Sequence, residues 1–132
     1  MKALVPRAIS LGFLTDMLGT TIVSTLYLAL DPRLAALSPE AQSAALGDSP
    51  VAWLLGSLMT VAGGFVAGHL AASKEVPNAF AVGAFSTVLL FVSILGAPPA
   101  GGPFWVVALS MLLTIPLAIA GGVARAALRR QA

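Results

Sequence analysis

Charged side chains are absent from residues 76–124, a run of 49 positions broken only by the glycines and prolines of 96–103. A helix needs about 20 apolar residues to cross ~30 Å of hydrocarbon, and each half of this run is close to that length. Two further apolar stretches lie upstream, so four spans are predicted, at residues 8–30, 51–72, 78–95 and 104–124. The polar positions between them carry turn chemistry. Asp31-Pro32 closes the first span, Ser49-Pro50 opens the second, Pro77 opens the third, and Pro98, Pro99 and Pro103 bracket the last turn. The expected fold is all-α and integral to a membrane: one domain over 1–132, folded as an antiparallel four-helix transmembrane bundle. The short turn at 73–77 makes the second and third spans neighbours.

Between the first two spans lies the one sizeable loop, 31–50. Within it, Ser38-Pro39-Glu40 reads as an N-cap, a first-turn proline and an acidic first-turn residue, and Gly47 offers a stop. A short helix over about 39–46 is expected there, lying on the membrane surface.

Composition agrees with the pattern. Charged residues make up 9% of the chain against roughly 25% in an average soluble domain, and hydrophobic residues make up 58%. Mean hydropathy is +0.98. The pI near 9.7 does not imply a nucleic-acid partner, because the basic residues sit at span ends rather than in a stripe with interleaved aromatics. Lys2, Arg7, Lys74, Arg125, Arg129 and Arg130 fall on one side of a four-span layout and only Arg33 on the other. By the positive-inside rule both termini are then cytoplasmic, as in a multi-pass protein of a bacterial inner membrane. Trp53 and Trp105 lie near the opposite ends of their spans, as interfacial aromatics do. A cleavable signal peptide fits the first span poorly: the stretch is too long, holds Asp16, and lacks a small-x-small site near residue 30.

Helices in lipid associate through close packing and interhelical hydrogen bonds. Small residues spaced by four make the smoothest faces. The second span has such a ridge in Gly56, Thr60, Gly64, Gly68 and Ala72, widened by Gly63, Ala67 and Ala71. It is expected to press on another helix, from this chain or another. The first span carries a polar stripe, Gly12, Asp16, Thr20 and Ser24, flanked by Thr15, Gly19, Thr21 and Thr25. Unpaired polar groups are costly in hydrocarbon, so that stripe should face protein or water. Ser110, Thr114, Ala118 and Gly122 repeat the idea in the fourth span, where Pro116 removes a backbone bond to Leu112 that Thr114 could partly replace. The third offers Gly83, Ser86, Thr87 and Ser93.

Asp16 is the sharpest candidate for chemistry. It lies about 12 Å inside the first span. An intramembrane carboxyl needs protonation, pairing or hydration. It reads either as a proton or cation site, or as a structural group held by Thr20, by a hydroxyl of a neighbouring helix, or by Arg7. His69, the only histidine, falls in the same leaflet, so an Asp16–His69 relay is one reading and an interfacial histidine the other. Asp16, Thr20 and His69 together are the candidate intramembrane proton or ion site. No cofactor is implied. A metal site needs more ligands than one His and one Asp, and the chain has no Cys. Nothing has the spacing of a catalytic triad or a phosphate loop, so no enzymatic activity is expected.

Two resemblances add to this. The runs Gly12-Phe13-Leu14-Thr15-Asp16-Met17-Leu18-Gly19-Thr20 and Gly63-Gly64-Phe65-Val66-Ala67-Gly68-His69-Leu70-Ala71 resemble those of small uncharacterised four-span bacterial inner-membrane proteins, which implies fold and location but no activity. Asp16-Met17-Leu18-Gly19-Thr20-Thr21-Ile22 is similar to the first-helix motif of small multidrug resistance transporters. That likeness implies a carboxyl that exchanges protons for cationic substrates. It covers about ten residues. The family has Glu where this chain has Asp16, its aromatic-and-glycine signature is missing from 78–95, and the loop at 31–50 is longer than the family's. The residues therefore point first to a structural or accessory subunit, in a homo-oligomer or with other membrane proteins. The alternative is a small proton-coupled transporter or ion channel centred on Asp16.

Overall fold

The computed structural model describes residues 4–96 and 104–131. Lys2 and most of the turn predicted at 96–103 lie outside them. All regular structure among the described residues is helical: α1 (Pro6–Leu30), α2 (Pro32–Ala35), α3 (Pro39–Asp48), α4 (Pro50–Leu70), α5 (Glu75–Gly96) and α6 (Phe104–Gln131). Four of these, α1, α4, α5 and α6, are long and apolar enough to cross a membrane.

Local chemistry sets the boundaries. Each of α1 to α4 begins with proline in its first turn, where the missing N–H costs nothing. Asp31, Ser38 and Ser49 cap α2, α3 and α4 through backbone N–H groups two or three residues on. Glu40 in the first turn of α3 has its carboxyl held below the usual range by its backbone hydrogen bond and by Ser38. α1 lacks a cap of its own; Asn78 of α5, fully buried, accepts from Val5 N at 2.9 Å in its place. Gln42 ties α3 to α2 by donating to the Leu34 and Ala35 carbonyls.

Several boundaries differ from expectation. α5 starts at Glu75, so Pro77 sits inside its first turn rather than opening it. α6 continues seven residues past 124, carrying Arg125, Arg129 and Arg130 out on its last turns. α3 runs through Gly47 to Asp48. α4 ends at Leu70, and the turn to α5 passes through Ala72 at φ 55°. Ala72 is therefore an exposed left-handed turn residue, not the last member of a packing ridge. Thr114 donates to the Ser110 carbonyl at 2.7 Å and not to the Leu112 carbonyl that Pro116 leaves unpaired.

The four long helices alternate in direction. α4 is the centre, with α1 and α6 on opposite sides of it, and α5 packs against α4, α6 and, at one end, α1. The small residues of α4 serve two faces. Gly63 and Ala67 meet α1, where Gly12 and Gly63 stand backbone to backbone: a Cβ on either would lie 2.6 Å from the other's carbonyl oxygen. Gly64 and Gly68 meet α6, where a Cβ at Gly64 would collide with Ala118 O and one at Gly121 with Val61 O. This α4–α6 contact joins parallel helices, and it leaves less room for a Cβ than the Gly12–Gly63 approach does. Gly83 and Ala79 of α5 close on α6 at Ile115 and Gly122. The ridge expected to seek a helix of unknown origin is thus consumed inside the chain, except at Gly56, whose nearest neighbour beyond its own helix is Thr20 Cγ2, at 3.8 Å from a built Cβ.

All these glycine contacts lie toward one end. Arg7, Lys74, Arg125, Arg129 and Arg130 make this the basic end of the bundle. There Arg129 reaches back to the α4–α5 turn, donating to Ala72 O and lying 2.9 Å from the buried Glu75 Oε1 in an ion pair without hydrogen-bond geometry. The opposite end carries α2, α3, Arg33, Trp53 and Trp105.

Substitutions at these glycines should separate cleanly. Gly64→Ala and Gly121→Ala each force rigid backbones apart and should cost about 1–3 kcal/mol. Gly56→Ala has room and should be neutral or stabilising by up to about 1 kcal/mol. Unfolding of the three variants in mild detergent checks this; equal stability would mean the α4–α6 contact is not the one described.

Candidate functional site: a carboxyl beneath a hydroxyl-studded vestibule

Asp16 follows Gly12 by one turn on α1. The Gly12–Gly63 approach fixes what it faces. With the helices antiparallel, the residue opposite Asp16 lies about one turn before Gly63, and that residue is Thr60. The Thr60 hydroxyl donates to Asp16 Oδ1 at 2.9 Å, and the Ser86 hydroxyl of α5 donates to Oδ2 at 2.6 Å. Only 5% of Asp16 is exposed. Three helices therefore meet on one carboxyl, and both its oxygens act as acceptors. Phe13 and Phe85, with centroids 6.2 Å apart, pack α1 against α5 beside it.

The structure does not assemble the expected trio. Thr20 makes no hydrogen bond to Asp16. His69 is exposed near the end of α4, six to nine residues beyond the positions that face Asp16, or about 9–14 Å along the axis. The Asp16–His69 relay is not formed. Arg7, two and a half turns away and exposed, does not reach the carboxyl either. Of the structural partners expected for Asp16, a hydroxyl of a neighbouring helix is the one realised, twice. Sequence alone does not single out Ser86 for this role, because nothing in one helix says which neighbour its hydroxyl meets.

Toward the α3 end the helices part. A cavity of about 500 Å³ opens between α1, α4, α5 and α6, with Ser43, Leu46 and Gly47 of α3 at its rim. Thr60 belongs to its wall, so a single side chain separates the cavity from Asp16. Thr20 and Ser24 line it from α1, Ser57 from α4, Ser93 from α5, and Ser110 and Thr114 from α6. Leu90, Ile94, Val106, Leu113 and Leu117 fill the spaces between them. The Trp53 indole N–H is fixed at 3.0 Å to Ser110 Oγ. Among the described residues no charged side chain lines the cavity. Tyr27 OH and Ser49 Oγ, 2.8 Å apart, join α1 to the start of α4 near this end. The bundle is thus hollow toward α3 and solid toward the basic end, with Asp16 at the junction.

Among the described residues no group of three or more His, Cys, Asp or Glu side chains could hold a metal ion. What the arrangement offers is an acceptor site: a buried carboxyl behind hydroxyls, reached from one side.

Removing either hydroxyl should cost more than an ordinary intramembrane hydrogen bond of ~0.6 kcal/mol, because the acceptor is a buried carboxyl. Thr60→Val and Ser86→Ala should each destabilise by about 1–3 kcal/mol. Thr21→Val, which loses only a bond to its own helix at Met17 O, should cost less than about 0.5 kcal/mol. Detergent unfolding curves of the three would decide it, and wild-type stability in Thr60→Val would detach Asp16 from α4. Comparison with protein-family models, with curated proteins and with solved structures returns no match to this chain.

Proposed function

We propose that this protein is a small multi-pass membrane protein that admits a small polar or cationic solute to Asp16, as a transporter or channel. The observation that supports this most is the one-sided vestibule ending at Thr60 and the carboxyl behind it. A cavity of this size is within the ordinary range of small-molecule sites. An intramembrane carboxyl is a functional-site candidate by default, and here only the Thr60 side chain stands between it and the cavity. The clustering of Arg7, Lys74, Arg125, Arg129 and Arg130 at one end supports cytoplasmic termini, as in a bacterial inner membrane. The vestibule then opens outward, and α3 lies at the outer surface beside its mouth. The likeness of the first helix to small multidrug resistance transporters points the same way, with Asp16 as the shared residue.

The test is flux. In proteoliposomes under a proton gradient, the protein should carry a solute-dependent proton current that Asp16→Asn abolishes. Unfolding of the variant in detergent verifies that the amide leaves the bundle intact. Unaltered current in a folded Asp16→Asn protein removes the carboxyl from the mechanism.

The subunit reading keeps one specific support. Thr21 and Thr25 are exposed on α1, although their hydroxyls donate only to the Met17 and Thr21 carbonyls. Two threonines on an uncovered membrane-helix face favour a protein neighbour there, either a second copy or another subunit. The native particle mass in mild detergent should then exceed one chain and fall to a monomer when Thr21→Leu and Thr25→Leu are combined. A monomeric parent would remove this reading.

A further inference from the structure

Each hydroxyl has one proton and two lone pairs, and where the proton goes decides what its oxygen offers a ligand. In the vestibule, Ser57 donates to Trp53 O, Ser93 to Leu89 O, Ser110 to Val106 O and Thr114 to Ser110 O. Thr60 gives its proton to Asp16 and, at 3.3 Å, to Gly56 O. The Trp53 N–H is also taken, by Ser110. The walls built by α4, α5 and α6 have therefore spent their side-chain donors within the bundle. They turn acceptor oxygens to the cavity, in front of a carboxyl and with no cationic side chain among the lining residues.

Thr20 and Ser24 of α1 and Ser43 of α3 keep hydroxyl protons to give, but the lining as a whole offers more acceptors than donors and sets no cation against an anion. It suits a ligand that brings its own N–H donors and a positive charge. The space is far larger than a bare metal ion, and its oxygens stand on separate helices rather than in a tight cage. Between them lie aliphatic side chains such as Leu90, Ile94 and Leu113, which suit a short hydrocarbon tail. We infer that the vestibule binds a small primary alkylammonium ion, its N–H groups donating to the wall hydroxyls near Thr60 and its tail against the aliphatic side. This deepens the reading above and rests on it: the vestibule must first admit a solute.

Trp53 lies in the wall and reports directly. Trp105 lines a separate, smaller hollow that it shares with Trp53, and the chain has two tryptophans. The Trp105→Phe protein in detergent is therefore titrated with n-butylammonium, n-butyltrimethylammonium, 1-butanol and sodium chloride while Trp53 emission is read. The butylammonium ion should give a saturable change. The trimethyl ion keeps the charge and loses every N–H, and should bind at least about tenfold more weakly. 1-Butanol keeps the tail without the charge and should also bind at least about tenfold more weakly, and sodium should not compete. Adding Asp16→Asn should weaken butylammonium about tenfold or more. Ser57→Ala, which removes a wall oxygen with no tertiary partner, should weaken it several-fold without touching the Asp16 clamp. Equal binding of the trimethyl ion or of butanol would overturn the ammonium assignment and leave the vestibule standing as a solute site. Competition by sodium would replace it with an alkali-metal site. No response to any organic probe would remove both the assignment and the vestibule reading.

Discussion

The backbone approach of α4 to α1 and α6 governs everything else in the molecule. A bilayer gives no hydrophobic reward for joining helices, so attraction comes from short-range contact and hydrogen bonding. Gly12 on Gly63 and Gly64 on Ala118 allow the contact that a single methyl would prevent. They also fix registers. Once Gly12 is locked on Gly63, Asp16 has no choice but to face Thr60; once Gly121 sits against Val61, Trp53 comes level with Ser110.

Tightness at one end creates space at the other. Helices that touch at glycines near the basic end diverge toward α3, where Ser57, Thr20, Ser110 and Ser93 line the gap and Gly56 makes no close contact. Asp16 lies where contact gives way to cavity. A carboxyl deeper in the glycine zone would be sealed, and one nearer α3 would be hydrated outright. At the junction it is enclosed by two donors and still only one side chain from the cavity. The basic end is closed a second time by the Arg129 bridge to Glu75 and Ala72, which draws the end of α6 over the α4–α5 turn.

The spans were legible because hydropathy and proline punctuation are local signals, and α1, α4 and the start of α6 stand within two residues of expectation. The boundaries that moved did so for tertiary reasons. α5 begins three residues early because Glu75 and Asn78 find partners in Arg129 and Val5, and α6 runs long because Arg129 has a target. The α4 ridge was visible as spacing, but spacing of four cannot say that Gly63 and Gly64 point to different neighbours. Asp16 stood out as the one acid within a span, whereas its partners depended on register between helices. The small residues did hold that register: aligning Gly12 with Gly63 in antiparallel sense brings Thr60 opposite Asp16. Ser86 had no such guide, since α1 and α5 run parallel and their contact follows from the packing of both on α4. His69 misled because sharing a leaflet is weaker than sharing a face.

A carboxyl satisfied by two hydroxyls looks structural, and a cavity bordering it looks functional; the chemistry of hydroxyls reconciles them. Thr60 holds Asp16 by a proton that can rotate to Gly56 O, an acceptor already 3.3 Å away. A ligand donating N–H to the carboxyl would take over the role of the Thr60 proton while Thr60 fell back on its own helix, as Ser57, Thr87 and Thr114 already do. The exchange costs no buried unpaired group in either state, which is the condition for a polar site in hydrocarbon to open and close cheaply. Ser86 donates to Asp16 without sharing its proton with a carbonyl of its own helix, so it anchors the carboxyl to α5 while Thr60 releases it. The clamp is thus asymmetric, firm toward α5 and yielding toward the vestibule.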